Sequence, residues 1–121
     1  MGLPAEDLGR WIPSLLAVWR AGRRGAGRRT GGAPPDDLAP DELREVAAAV
    51  SRLSRGLTRG RELAGARYLD DERLLGAYLL FYWPVSYLQG RGTLSELPRR
   101  PRSALDLGSG PGPFAFAALD A

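Results

Sequence analysis

The chain has no cysteine and no histidine among its 121 residues. Without Cys there is no disulfide framework and no thiolate metal site. Without His, the chain itself can supply no Ser–His or Cys–His nucleophile pair and no imidazole-ligated zinc. Lysine is missing too, so all 17 basic residues are Arg. Codon bias in a GC-rich genome accounts for that, and selection for phosphate contact is the sharper reading. Asp and Glu are present, but no cluster has metal-ligand spacing. An inventory of carboxylates, hydroxyls and guanidiniums leaves few routes to general acid–base chemistry near neutral pH. With 44% hydrophobic residues the chain can bury a core. A net charge of +3 is unevenly spread. Residues 1–35 carry six Arg against two acids, 36–72 six against nine, and 73–121 five against three.

The N-terminus is not expected to be a targeting signal. Glu6 stands where a myristoylation motif needs Ser or Thr, and Glu6 with Asp7 argues against a signal or transit peptide. Leu8, Trp11, Ile12, Leu15, Leu16 and Trp19 repeat at helical spacing, which predicts an amphipathic helix within residues 1–22, kinked or split at Pro13. Its apolar face either packs on the rest of the protein or docks, through its two tryptophans, on a partner or a membrane surface. Residues 23–39 read as a linker rich in Gly, Arg and Pro. There Arg23, Arg24, Arg28 and Arg29 are either solvated or in contact with RNA phosphates. No aromatic residue is interleaved, so base stacking is not indicated.

Residues 40–98 read as a helical region. Pro40, Asp41 and Glu42 suit a helix start. Leu43, Val46, Ala47, Val50 and Leu53 form its apolar stripe, and it should end near Gly56. A shorter helical piece is expected over residues 59–68, and Asp70 is the expected cap of the next helix. Residues 74–90 are 17 positions without a charge. That is short of the roughly 20 apolar residues of a membrane span, and Gly76, Pro84, Ser86, Gln89 and three Tyr make it a poor one. It predicts a buried helix broken near Pro84. Tyr82, Trp83 and Tyr87 either pack in the core or line a ligand crevice.

Residues 99–121 begin a different pattern. Residues 103–107 are short and mostly apolar, the form of a buried strand. Asp106 and the alternate glycines Gly108, Gly110 and Gly112 follow, with Ser109 and Pro111 between them. Glycine permits positive φ and lets a ligand approach the backbone closely. Pro113 suits the first position of the apolar helix after it. A turn before a helix N-terminus presents backbone donors to a ligand.

This Asp-x-Gly-x-Gly-x-Gly run resembles motif I of class I S-adenosylmethionine-dependent methyltransferases. The resemblance implies that Asp106, Gly108, Ser109, Gly110, Pro111 and Gly112 bind S-adenosylmethionine. It also implies an α/β, Rossmann-like fold. A methyl transfer driven by the cofactor's own leaving group is compatible with the poor acid–base inventory. One alternative is a glycine-rich turn that binds no ligand, and the main rival site is a dinucleotide turn, G-x-G-x-x-G/A. Counted from Gly108 it fails at Pro113. Counted from Gly110 it fits, with Ala115 last, but two residues late after the strand.

Over residues 45–120 the order Arg67-Tyr68, Asp70-Asp71, the Tyr- and Pro-containing helix and then the glycine turn resembles a narrower group. These are bacterial relatives of the mitochondrial small-ribosomal-subunit methyltransferase family. That resemblance implies a cytoplasmic role on ribosomal RNA or in small-subunit assembly. Several members use cysteines for an iron–sulfur centre, and this chain has none.

A class I domain needs several more parallel strands, because one strand cannot form a sheet. The expectation is therefore a mostly helical chain that carries only the first strand and cofactor turn of an α/β parent fold. Such a truncated part is expected to be inactive alone. The alternatives are a non-catalytic helical module for a ribosomal or RNA partner, and a dinucleotide-binding fragment.

Overall fold

A computed structural model describes residues 3–25, 32–58 and 70–121. Helix α1 spans Pro4–Gly25, α2 Pro40–Thr58, α3 Glu72–Ala77, α4 Trp83–Ser95 and α5 Pro113–Asp120, with a π-helical stretch, Tyr78–Tyr82, joining α3 to α4. Among the described residues there is no strand, which corrects the α/β expectation. A strand persists by pairing with a neighbour. Residues 103–107 find none, and Leu105 and Leu107 stand 82% and 83% exposed.

Helix α1 runs through Pro13 as one helix. The apolar stripe is continuous on both sides of the proline, so packing against a single core keeps the two halves together. Leu15, Leu16 and Trp19 from this stripe meet Val46, Leu79, Trp83, Tyr87 and Ala117 in the main core. Helix α1 also extends three residues into the expected linker, and the reason is ionic. Arg20 and Arg23 are both buried and point at α2.

Helix α2 begins at Pro40 as the composition predicts. Glu42 reaches back to accept from the Ala39 backbone N–H at 3.0 Å, and Leu43 N–H closes the first turn on Ala39 O at 2.9 Å. The buried face is Glu42, Val46, Ala49, Leu53 and Gly56. Leu43, expected inside, is 57% exposed. The helix is rotated so that Glu42 can meet the two arginines of α1. Ala49 and Leu53 join Leu74 and Ala77 in a second, smaller core cluster.

The cap of α3 is Asp71 and not Asp70: Arg73 N–H donates to Asp71 Oδ1 at 2.9 Å. The expected break at Pro84 takes the form of a π-helical turn. Proline lacks the N–H that would bond four residues back, and its ring crowds that carbonyl. One residue earlier the Trp83 N–H bonds to Tyr78 O, five residues back, so the helix widens and continues. Helix α4 stops at Ser95, shortly before Pro98 disfavours helical geometry at Leu97. The helical piece expected over residues 59–68 lies outside the described residues.

Candidate cofactor-binding turn

Residues 106–112 lead from an exposed segment into α5. All three alternate glycines take the left-handed conformation, with φ of 68° at Gly108, 52° at Gly110 and 77° at Gly112. Gly112 N–H donates to Ser109 O at 2.9 Å, closing a four-residue turn. Phe116 N–H bonds back to Gly112 O at 3.1 Å and starts α5, with Pro113 in its first turn. Gly108, Ser109 and Gly110 are exposed, Pro111 is half-buried and Gly112 is buried. The outer part of the turn faces solvent and the inner part is anchored.

The anchor is Trp83. Its indole N–H donates to Pro111 O at 3.1 Å, so the residue after the π-helical turn holds the glycine turn in place. Tyr78, one turn earlier, puts its hydroxyl 3.7 Å from where a Cβ on Gly110 would stand. Tyr87 faces elsewhere, with its hydroxyl on Asp120 at 2.6 Å. Tyr82 packs on the Phe81 and Tyr78 rings. Of the three aromatic residues weighed for the crevice, only Trp83 reaches the turn.

Helix α5 is fixed from behind. The Asp120 carboxylate accepts from Trp11 Nε1 at 2.7 Å, from the Tyr87 hydroxyl and from Arg10 at 3.3 Å. Arg91 donates to the Tyr87 hydroxyl at 3.2 Å and to Asp7. Burial pushes the Asp120 pKa up, but the bonds from Tyr87 and Trp11, with Arg10 and Arg91 nearby, outweigh it and hold the carboxyl below its ordinary range. Burial and the neighbouring Asp120 together push the Tyr87 phenol up. Close packing adds to this: a Cβ on Gly90 would sit 3.0 Å from both the Ala117 Cβ and the Phe114 ring.

Asp106 is half-buried, and its Oδ2 is buried with no hydrogen-bond partner among the described residues. The other buried carboxylates, Asp7, Glu42 and Asp120, all have cationic or aromatic donors. An unpaired buried carboxylate oxygen is costly, and a ligand's N–H or O–H would satisfy it. On the other side of the turn an apolar cavity of about 280 Å³ is walled by Trp11, Leu15, Val18, Trp83, Pro111 and Phe116.

No family model, curated protein or solved structure matches the chain. The site therefore rests on its own geometry. Asp106, Gly108, Ser109, Gly110, Pro111 and Gly112 share one turn, as adjacency in sequence requires. Positive φ at all three glycines explains why no other residue type stands there. Sequence reasoning missed the supports: Trp11 in α1 and Tyr78 in the π-helical stretch are distant in sequence, Asp120 stands at the far end of α5, and no local pattern marks them. Among the described residues no group of three or more acids could hold a metal ion, and no helix is long and apolar enough to cross a membrane.

The arginines expected to touch RNA are only partly described. Arg23 is neither solvated nor free: it bonds Glu42 at 3.3 Å and Glu45 at 2.6 Å and lies over the Trp19 ring. That corrects its place in a solvated linker. The Arg24 side chain, Arg28 and Arg29 lie outside the described residues.

Proposed function

We propose that residues 106–112 are the S-adenosylmethionine-binding turn of a methyltransferase. The observation that supports this most is the pairing of a left-handed glycine turn, pinned by Trp83, with a buried Asp106 oxygen that lacks a donor. The residues fit the group: the glycines leave the backbone open to close approach, and the carboxylate suits an amine or a bridged water. When bound, S-adenosylmethionine supplies a methyl group on a sulfonium leaving group. The chain's own part is to bind and orient, which its lack of His, Lys and Cys allows. The finer reading is an RNA acceptor, in the cytoplasm and on the small ribosomal subunit.

The test is a nuclear magnetic resonance titration of this chain with S-adenosylmethionine, read at the Gly108, Gly110 and Gly112 amides. Because the outer turn and residues 103–107 are exposed and unpaired, ordering them opposes binding. The expected affinity is weaker than about 1 mM, or −4 kcal/mol, with no turnover. Gly110→Val should abolish the shifts while the melting temperature changes little, because a β-branched residue resists φ near 52° and its Cβ would stand toward Tyr78. Glycine amides that do not move at saturating ligand would sink the proposal.

A second reading is a non-catalytic helical module for an RNA or ribosomal partner. The lack of a strand among the described residues favours it. RNA binding without any response to the cofactor would select it.

A further inference from the structure

We propose that Tyr78 is a ligand-contacting residue of the glycine turn, set there by the π-helical turn, with its hydroxyl hydrogen-bonding a polar group of the ligand that lies on Gly110. The proposal rests on the methyl-donor reading and deepens it, by adding to the turn a side chain from a separate helical segment.

The register of the π-helical turn brings Tyr78 to this place. The Trp83 N–H bonds to Tyr78 O, five residues back. In a regular α-helix, at about 3.6 residues per turn, five residues advance about 500°, or about 140° beyond one turn. Tyr78 and Trp83 would then leave the helix on nearly opposite faces. A bond between residues five apart widens the turn, and side chains at that spacing come closer to standing one above the other. Both therefore reach the same neighbour. The Trp83 indole N–H holds Pro111 O at 3.1 Å. The Tyr78 hydroxyl stands 3.7 Å from where a Cβ on Gly110 would be. Two adjacent residues of the glycine turn thus meet two residues that the widened helix aligns.

Gly110 is the point of the turn that faces another element. A Cβ on Gly108 would meet nothing within 4 Å, and one on Gly112 would meet only Phe116 and Ala115 of the helix that follows. Gly110 is itself exposed, with φ of 52°. A ligand atom that takes the space left by its missing side chain comes within reach of the Tyr78 hydroxyl. Tyr78 is half-buried and packs against the main core, which limits the freedom of its ring. A phenol both donates and accepts, so it serves a ligand group of either kind beside any contact that it already makes. Covering that hydroxyl with an apolar group would leave it without a hydrogen bond, which makes the contact selective.

The experiment titrates S-adenosylmethionine into the full chain, Tyr78→Phe and Tyr82→Phe, and reads the Gly108, Gly110 and Gly112 amides by nuclear magnetic resonance. Tyr78→Phe keeps the ring and its contact with Tyr82 and removes only the hydroxyl. Its affinity should fall about two- to ten-fold, the range for one neutral hydrogen bond. Tyr82→Phe, which removes a hydroxyl from the same π-helical turn, should bind like the parent chain. Before ligand is added, the Gly110 and Gly112 amides of Tyr78→Phe should coincide with those of the parent. Unchanged affinity in Tyr78→Phe would overturn the Tyr78 assignment and leave the turn reading standing. Displaced glycine amides in the ligand-free variant would overturn it too, because the hydroxyl would then shape the turn and not the ligand contact. Glycine amides that stay still in the parent chain would remove the methyl-donor reading, and the Tyr78 contact with it.

Discussion

Glu42→Gln is the sharpest test of how the helices are held. Glu42 is 2% exposed. Its Oε1 accepts from Arg20 Nε at 3.0 Å and Arg23 at 3.3 Å, and its Oε2 from Arg20 Nη2 at 2.7 Å and Ala39 N–H at 3.0 Å. The amide keeps the shape but removes the negative charge that the two guanidiniums share, and Arg20 makes no other ion pair among the described residues. Removing one partner of a buried pair typically costs about 3–5 kcal/mol. The lower end is expected here, about 3 kcal/mol, because Arg20 also bonds the Pro34 and Asp37 carbonyls and Arg23 keeps Glu45. At roughly 4 °C per kcal/mol for a chain of this size, the melting temperature should fall by about 12 °C by circular dichroism. A double-mutant cycle with Arg20→Met should return a coupling above about 1 kcal/mol. The pH dependence follows the same pair. Hydrogen bonds from Arg20 hold the Glu42 carboxyl below its usual range, against the opposing effect of burial. A carboxylate depressed in the folded state contributes stability above its unfolded pKa and loses it as pH falls through the folded one. The parent chain should therefore lose stability on acidification below about pH 4.5, and Glu42→Gln should lose less over that window. A drop of under about 1 kcal/mol at neutral pH, or an unchanged acid profile, would refute the claim that this carboxylate fixes α1 on α2.

Three further outcomes follow from the same contacts. Arg23→Ala should lower the melting temperature measurably, because it removes bonds to Glu42 and Glu45 and packing on Trp19; an unchanged value would restore the solvated reading. Trp83→Phe keeps most of the ring volume but removes the donor to Pro111 O, so it should cost about 1 kcal/mol and speed hydrogen exchange at Gly112 more than in α2. Gly90→Val should cost about 1–3 kcal/mol by overpacking against Ala117 and Phe114, and chemical denaturation would expose the error if it proved neutral.

The helices were largely legible in the sequence because their signals are local. The stripe from Leu8 to Trp19, the Pro40 start and the uncharged stretch around residue 80 each depend on neighbours within a few residues. The glycine turn was legible for the same reason. What misled is non-local. Residues 103–107 have strand composition, but a strand is defined by its partner, and none of the described residues pairs with them. Leu43 looked like a core residue until the Arg20–Arg23–Glu42 cluster rotated α2. Arg23 looked solvated because the acids that bury it are 19 and 22 residues away. The Trp83–Pro111 bond joins positions 28 apart and leaves no periodic trace.

The Asp120 carboxylate has a practical consequence. One of its oxygens accepts from Trp11 near the start of the chain and from Tyr87 in its middle. The glycine turn sits at the opposite end of the same short helix. Anything that stiffens or tilts α5 at its first residue changes the electric field and polarity around the Trp11 indole. The chain thus carries its own optical probe: tryptophan emission, with Trp19→Phe to thin the background, should report events at the turn without any label.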